Sequence, residues 1–198
     1  MLYTGPYGNP MVNVFDPEMY SVYIIVAGGI GCTPMQAWFS ELLEQHRSKK
    51  RNIIKVFYIW ILKFQDAYMI KSMESSGVLN VPVSAEEENI FDIGIYLTRK
   101  PSDLSLTTYA YNPGLGLADN EIELQSSALD SHVHYNRPIF KDIFQQATDI
   151  SRSHKCSQVC VGATGPRSLT DELIGQCKSS YAIANSVNFD FHSETFDF

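Results

Sequence analysis

The feature that most limits what this chain folds into is a glycine bend set between a strand-like run and a helix-like one. Residues 21–27, Ser-Val-Tyr-Ile-Ile-Val-Ala, are rich in β-branched and aromatic side chains, the composition of a strand buried on both faces. The run passes straight into Gly28-Gly-Ile-Gly31. Thr33-Pro34 then opens a helical stretch to about residue 46, with Pro34 in the first turn, where its missing N–H is tolerated. Backbone N–H groups in such a bend can approach an anion, and the amino end of the helix adds partial positive charge. Thr33 offers a hydroxyl to a phosphate or ribose oxygen. The glycines at 28, 29 and 31 do not follow the GxGxxG dinucleotide fingerprint. A simpler role for them is to let strand and helix pack closely.

Strand and helix signals alternate along the rest of the chain. Strands are predicted at residues 53–60, 90–98, 157–162 and 187–192, and helices at 66–75, 139–150 and from Gly165-Pro166 to about 178. In the 139–150 helix, Ile139, Ile143, Phe144, Ala147 and Ile150 share one face. This order predicts an α/β fold, a doubly wound, mainly parallel five-stranded sheet. Residues 100–131 hold Pro, Gly, Asn and Ser with little periodicity and read as a long loop or insertion. Glu86-Glu-Glu88 reads as a solvated loop rather than a metal site. Residues 1–20 read as a tail and linker, and 21–198 as one domain.

The formal net charge of −7 speaks against a nucleic-acid partner, because a phosphate backbone needs a basic face. It leaves a small nucleotide open. Cys32, Cys156, Cys160 and Cys177 form no CxxC pair and no zinc pattern with histidine, so they read as reduced thiols and no metal is expected. No run reaches the roughly 20 apolar residues of a membrane span, and the amino end has no signal-peptide pattern. As it stands, the chain is expected to be soluble.

Two further segments carry chemistry. Where a NAD-specific fold has an acidic residue near the end of the second strand, this chain has Lys63, with Asp66 further on. A cation there suits the 2′-phosphate of NADPH, and a plain surface lysine fits the residue as well. Arg137, in His134-Tyr-Asn-Arg-Pro138, is a second candidate, whose guanidinium can hold a phosphate with a fork of N–H groups. One charge-assisted contact of that kind favours NADPH over NADH by about tenfold to a hundredfold. The other segment is Val159-Cys-Val-Gly-Ala-Thr-Gly-Pro166, again strand, tight turn and helix. Two such bends at the carboxyl ends of parallel strands would flank one crevice.

Taken together and in order, these segments resemble the NADPH-binding lobe of the eukaryotic NADPH oxidases, plant respiratory burst oxidases included, and of the related ferric reductases, within the wider ferredoxin–NADP reductase group. Gly5-Pro-Tyr-Gly8 is similar to the segment that ends the family's flavin lobe. Gly28-Gly-Ile-Gly-Cys-Thr-Pro34 is similar to its pyrophosphate loop. Phe57-Tyr-Ile-Trp60 with Lys63 resembles an aromatic strand ending in Trp-x-x-Arg, and Ile95-Tyr-Leu-Thr98 an interior strand. His134-Tyr-Asn-Arg-Pro138 resembles Tyr-Gly-Arg-Pro, and Phe189-Asp-Phe-His-Ser-Glu-Thr-Phe196 the family's carboxyl-terminal segment.

The resemblance implies that Gly28, Gly29, Ile30, Gly31, Thr33 and Pro34 bind the phosphates and ribose of NADPH. It implies that Lys63 and Arg137 read the 2′-phosphate, with Pro138, Gly165 and Pro166 also binding the cofactor. Pro6, Tyr7 and Gly8 would lie on the flavin side. Thr164 and Phe196 would be the residues at the hydride-transfer centre, Phe196 lying against the flavin ring and moving aside for nicotinamide. Hydride would pass to FAD, shared with a flavin lobe, and electrons onward to haems in a membrane domain, on whose cytosolic face this lobe would stand. Oxygen, giving superoxide, is the favoured acceptor. Ferric iron, or a non-catalytic nucleotide-binding module, are the alternatives. The flavin barrel and haem helices are expected outside these 198 residues. Four departures bear on chemistry. Thr164 replaces the cysteine of Cys-Gly-Pro, Lys63 replaces arginine, Asn136 replaces glycine, and Asp197-Phe198 follow the terminal aromatic. Cys160 is expected in the core, unable to stand in for the missing thiol.

Overall fold

The computed structural model describes residues 19–75, 81–99, 129–179 and 187–194. Strand β1 (Val22–Gly28) leads through a 3₁₀ turn (Gly29–Gly31) into helix α1 (Cys32–Arg47). Then come β2 (Lys55–Lys63), a 3₁₀ turn (Phe64–Asp66), α2 (Tyr68–Ser75), α3 (Ala85–Ile90) and β3 (Phe91–Thr98). A 3₁₀ turn (Asp130–His132) precedes β4 (Val133–His134), α4 (Phe140–Ser153), β5 (Gln158–Thr164), α5 (Arg167–Cys177) and β6 (Asn188–Glu194). The strands form one sheet in the order β4-β3-β2-β1-β5-β6, every pair parallel.

Strand β1 lies at the centre, and Val22 to Ala27 are fully buried, which is why the sequence there is continuously apolar rather than alternating. Its side chains divide between two cores. Tyr23, Ile25 and Ala27 pack with α1 residues such as Met35, Phe39 and Leu42. Val22, Ile24 and Val26 pack with Phe140 and Phe144 of α4 and Leu169 and Leu173 of α5. Helices thus cover both faces, the doubly wound arrangement expected.

Three details differ from the sequence reading. The sheet has six strands rather than five. The added one, β4, is two residues long, too short for any periodicity to announce it. Residues 85–90 form α3 rather than a loop: Ser84 caps it, its hydroxyl accepting the Glu87 N–H at 3.2 Å, and three glutamates fill the first turn, where the helix dipole favours them. In α4 the buried stripe is Phe140, Phe144, Ala147, Thr148 and Ser151, while Ile139 is 61% exposed and Ile143 and Ile150 are only partly buried. Ile139 is the extended N-cap, not a helical residue, so the helical phase starts one position later. No helix among the described residues is long and apolar enough to cross a membrane. Most of the 100–131 stretch, together with Pro6, Tyr7, Gly8, Phe196 and Asp197-Phe198, lies outside the described residues.

Candidate functional site

The chain turns from β1 toward β2 on one side of the sheet, while β5 joins β1 on the other. The strand order therefore reverses between β1 and β5, the point at which open α/β sheets leave a crevice beyond their strand ends. Both glycine bends sit there. Ala27 pairs with Thr164. A Cβ built on Gly28 would stand 3.0 Å from the Pro166 ring and 3.3 Å from Gly165 Cα. One on Gly31 would stand 2.8 Å from the Thr164 carbonyl oxygen. The bends touch through their backbones, and only glycine permits that at Gly31.

Strand β2 fixes the first bend from the other side. Gly29 holds the left-handed conformation, φ +57°. Its carbonyl accepts the Cys32 N–H and also the indole N–H of the fully buried Trp60, at 2.9 Å. The sequence marks Trp60 only as part of an aromatic strand. Its hydrogen bond to the bend is visible only once β2 lies beside β1.

Beyond these strand ends lies a cleft of about 740 Å³. The bends contribute Gly28, Gly29, Ile30, Gly31, Thr164, Gly165 and Pro166, and Ser168 adds a hydroxyl from the first turn of α5. The tips of β2, β3 and β4 contribute Lys63 and Asp66, Thr98 and Arg99, and Tyr135 to Arg137. The amino ends of α1 and α5 both open onto this cleft, an arrangement suited to an anion. Its size lies in the range of cofactor sites.

Among the described residues, most of those singled out from the sequence meet here, with three exceptions. Thr33, Pro34 and Pro138 are not among the lining residues. The Thr33 hydroxyl faces its own loop, donating to the Ile30 carbonyl at 3.4 Å, and Pro138 is buried. Arg137 does line the cleft, but its guanidinium is ion-paired with Glu172 of α5. Asp66, which lies past the end of β2 in sequence, also reaches the cleft because the 3₁₀ turn folds it back.

Thr164 is 2% exposed, and its hydroxyl oxygen has no hydrogen-bond partner among the described residues. A buried hydroxyl without a partner is costly, and this one belongs to a residue of the cleft wall. Cys160, four residues earlier, is fully buried and paired with Tyr23, and burial pushes its thiol well above the usual range. Burial likewise raises the Cys32 thiol, with the Thr33 side chain opposing part of the shift. All four cysteines are free, and these two are inert core thiols.

The fold and cleft are those of a doubly wound α/β domain with a ligand crevice at its switch point. The chain belongs to the ferric reductase NAD binding domain family, whose model matches residues 20–178. It is 24% identical to respiratory burst oxidase homolog protein D of Solanum tuberosum, over 99% of this chain and 23% of that protein. It is 27% identical to a superoxide-generating NADPH oxidase heavy chain of Dictyostelium discoideum, over 97% of this chain and 26% of that protein. With NADPH oxidase 3 of Homo sapiens the identity is 25%, over 97% of this chain and 32% of that protein. The chain thus spans about a quarter to a third of the length of these relatives.

Proposed function

We propose that this chain is the NADPH-binding part of a flavin- and haem-dependent membrane NADPH oxidase, in which hydride passes from NADPH to FAD and electrons go on to oxygen as superoxide. One observation carries the reading: a cleft at the β1/β5 switch point joins two backbone-to-backbone glycine bends to cations on the neighbouring strand tips. The bends and the two helix amino ends suit a pyrophosphate. The cations suit an additional phosphate. Flavin and haem, when bound, supply the redox chemistry, and this chain holds the hydride donor and orients its reactive ring.

Within that role the Gly28–Gly31 bend supports the pyrophosphate through N–H groups, held rigid by Trp60. The Thr164 hydroxyl, buried at the cleft wall and without a partner among the described residues, would hydrogen-bond the nicotinamide carboxamide. A hydroxyl in this position orients the ring as a hydrogen-bonding group. Thr33 acts through the loop rather than on the ligand, since its hydroxyl bonds Ile30. Phe196 and the Pro6-Tyr-Gly8 segment are assigned to the flavin side on family resemblance alone. The lobe is placed on the cytosolic face of a membrane by analogy with the oxidase reading. Ferric iron as acceptor would use the same NADPH site.

Calorimetric titration of the chain with NADPH and NADH tests the reading, with Lys63→Ala and Arg137→Ala beside the parent. Micromolar NADPH binding with a clear preference over NADH supports it. Binding of neither nucleotide below millimolar concentration rejects it. Mixing the chain with a separately produced flavin lobe and following flavin bleaching then distinguishes a catalytic lobe from a non-catalytic nucleotide-binding module.

A further inference from the structure

Three cations line the cleft, and they are not equivalent. Arg137 donates from one terminal nitrogen of its guanidinium to Glu172, in an exposed ion pair. Lys63 is exposed at the end of β2 and offers a single ammonium. Arg99 follows the last residue of β3, is exposed, and makes no ion pair with any described carboxylate. Its position is tightly set. Lys63 and Thr98 are register partners, and the Thr98 hydroxyl donates to the Leu62 carbonyl at 2.9 Å, clamping the two strand tips together. Arg99 is the next residue, so both cations emerge from one clamped corner of the cleft.

The backbone of Arg99 is the second observation. Its φ is +60°, the left-handed region, where glycine is comfortable and an L side chain is strained. Strain of this sort tends to persist at ligand clamps, where the side chain has a use. A guanidinium at this corner supplies what the lysine lacks: a planar fork able to hold two oxygens of one phosphate, beside a point charge that neutralises the third.

We propose that Arg99, with Lys63, forms the seat of the 2′-phosphate of NADPH, and that Arg99 supplies there a guanidinium fork that no described carboxylate competes for, as Glu172 does for Arg137. This rests on the NADPH reading above and goes beyond it by naming the residue that sets the preference for the phosphorylated cofactor. Nothing in the sequence singles out Arg99, since no glycine bend adjoins it in the chain.

The test is calorimetry on the full 198-residue chain with four probes: NADPH, NADH, 2′,5′-ADP and 5′-AMP. The variant is Arg99→Gly, chosen because glycine relieves the positive φ and leaves the fold at least as stable, with a melting temperature equal to or a few degrees above the parent. The expected result is a loss of about tenfold to a hundredfold in affinity for NADPH and 2′,5′-ADP, with NADH and 5′-AMP unchanged. Arg99→Lys should recover only part of the loss. If the parent prefers NADPH and Arg99→Gly keeps that preference, the Arg99 assignment falls and the NADPH reading stands. Equal losses for all four probes also overturn it, because the effect is then not on the 2′-phosphate. A parent that binds neither nucleotide, or both alike, overturns the NADPH reading and this inference with it.

Discussion

Replacing Gly31 by alanine isolates the contact that brings the two bends together. Gly31 has φ −61° and ψ −2°, values any residue adopts, so alanine meets no conformational strain there. It even gains about 0.4–1 kcal/mol from a less mobile unfolded chain. Its Cβ, however, would stand 2.8 Å from both the Thr164 carbonyl oxygen and Cγ2, and 3.1 Å from the carbonyl carbon. Two of those atoms are backbone in a strand paired on both sides, so relief requires the start of α1 and the end of β5 to move apart. Overpacking of this kind costs about 1–3 kcal/mol. The net loss is then about 1 kcal/mol, or about 2–4 °C in melting temperature for a chain of this size. Gly29 is the control. A Cβ there meets nothing within 4 Å, but φ is +57°, so alanine is disfavoured by about 1–2 kcal/mol for conformational reasons alone. Asparagine, which tolerates the left-handed region, should recover part of the loss at position 29 and none at position 31. Thermal unfolding followed by circular dichroism reads all four variants. Gly31→Ala melting at or above the parent, or asparagine rescuing both positions alike, would refute the steric argument.

Three further outcomes are expected. Trp60→Phe removes the indole bond to the Gly29 carbonyl and leaves a smaller ring in a fully buried space; a loss of about 2 kcal/mol in urea unfolding, with weaker NADPH binding, is expected, and unchanged stability would show that the bend is held without it. Glu172→Gln releases Arg137 into the cleft, so NADPH affinity should rise severalfold in calorimetry with NADH unaffected; no change would mean that Arg137 cannot reach the phosphate. Glu87 accepts two hydrogen bonds from Arg47 and one from the Val83 N–H, and chiefly the Arg47 bonds lower its carboxyl from 4.5 to about 2. The folded state therefore holds this proton less tightly than the unfolded chain, and the stabilisation is whole above about pH 4.5 and fades as pH falls toward 2. Glu87→Gln should lower stability by about 0–1 kcal/mol at neutral pH and match the parent at the acid end of that window, as read by urea unfolding across pH.

Where local chemistry decides structure, the sequence was enough. The unbroken apolar run of β1 needs burial on both faces, the glycines mark the two bends, and Pro34 and Pro166 mark the helix starts, so the doubly wound fold and most of the cleft followed from pattern. Even α3 was legible in principle, because Ser84-x-x-Glu87 is a capping signal. What the sequence had no means of fixing depends on which strand lies beside which. Trp60 reaches Gly29, Arg137 is taken by Glu172, and Lys63 and Arg99 share a corner, across separations of 31, 35 and 36 residues. Such pairings arise from sheet register and helix docking, whose energies are summed over the whole core. No single segment carries them, so partners of a cleft charge emerge only when the tertiary structure closes.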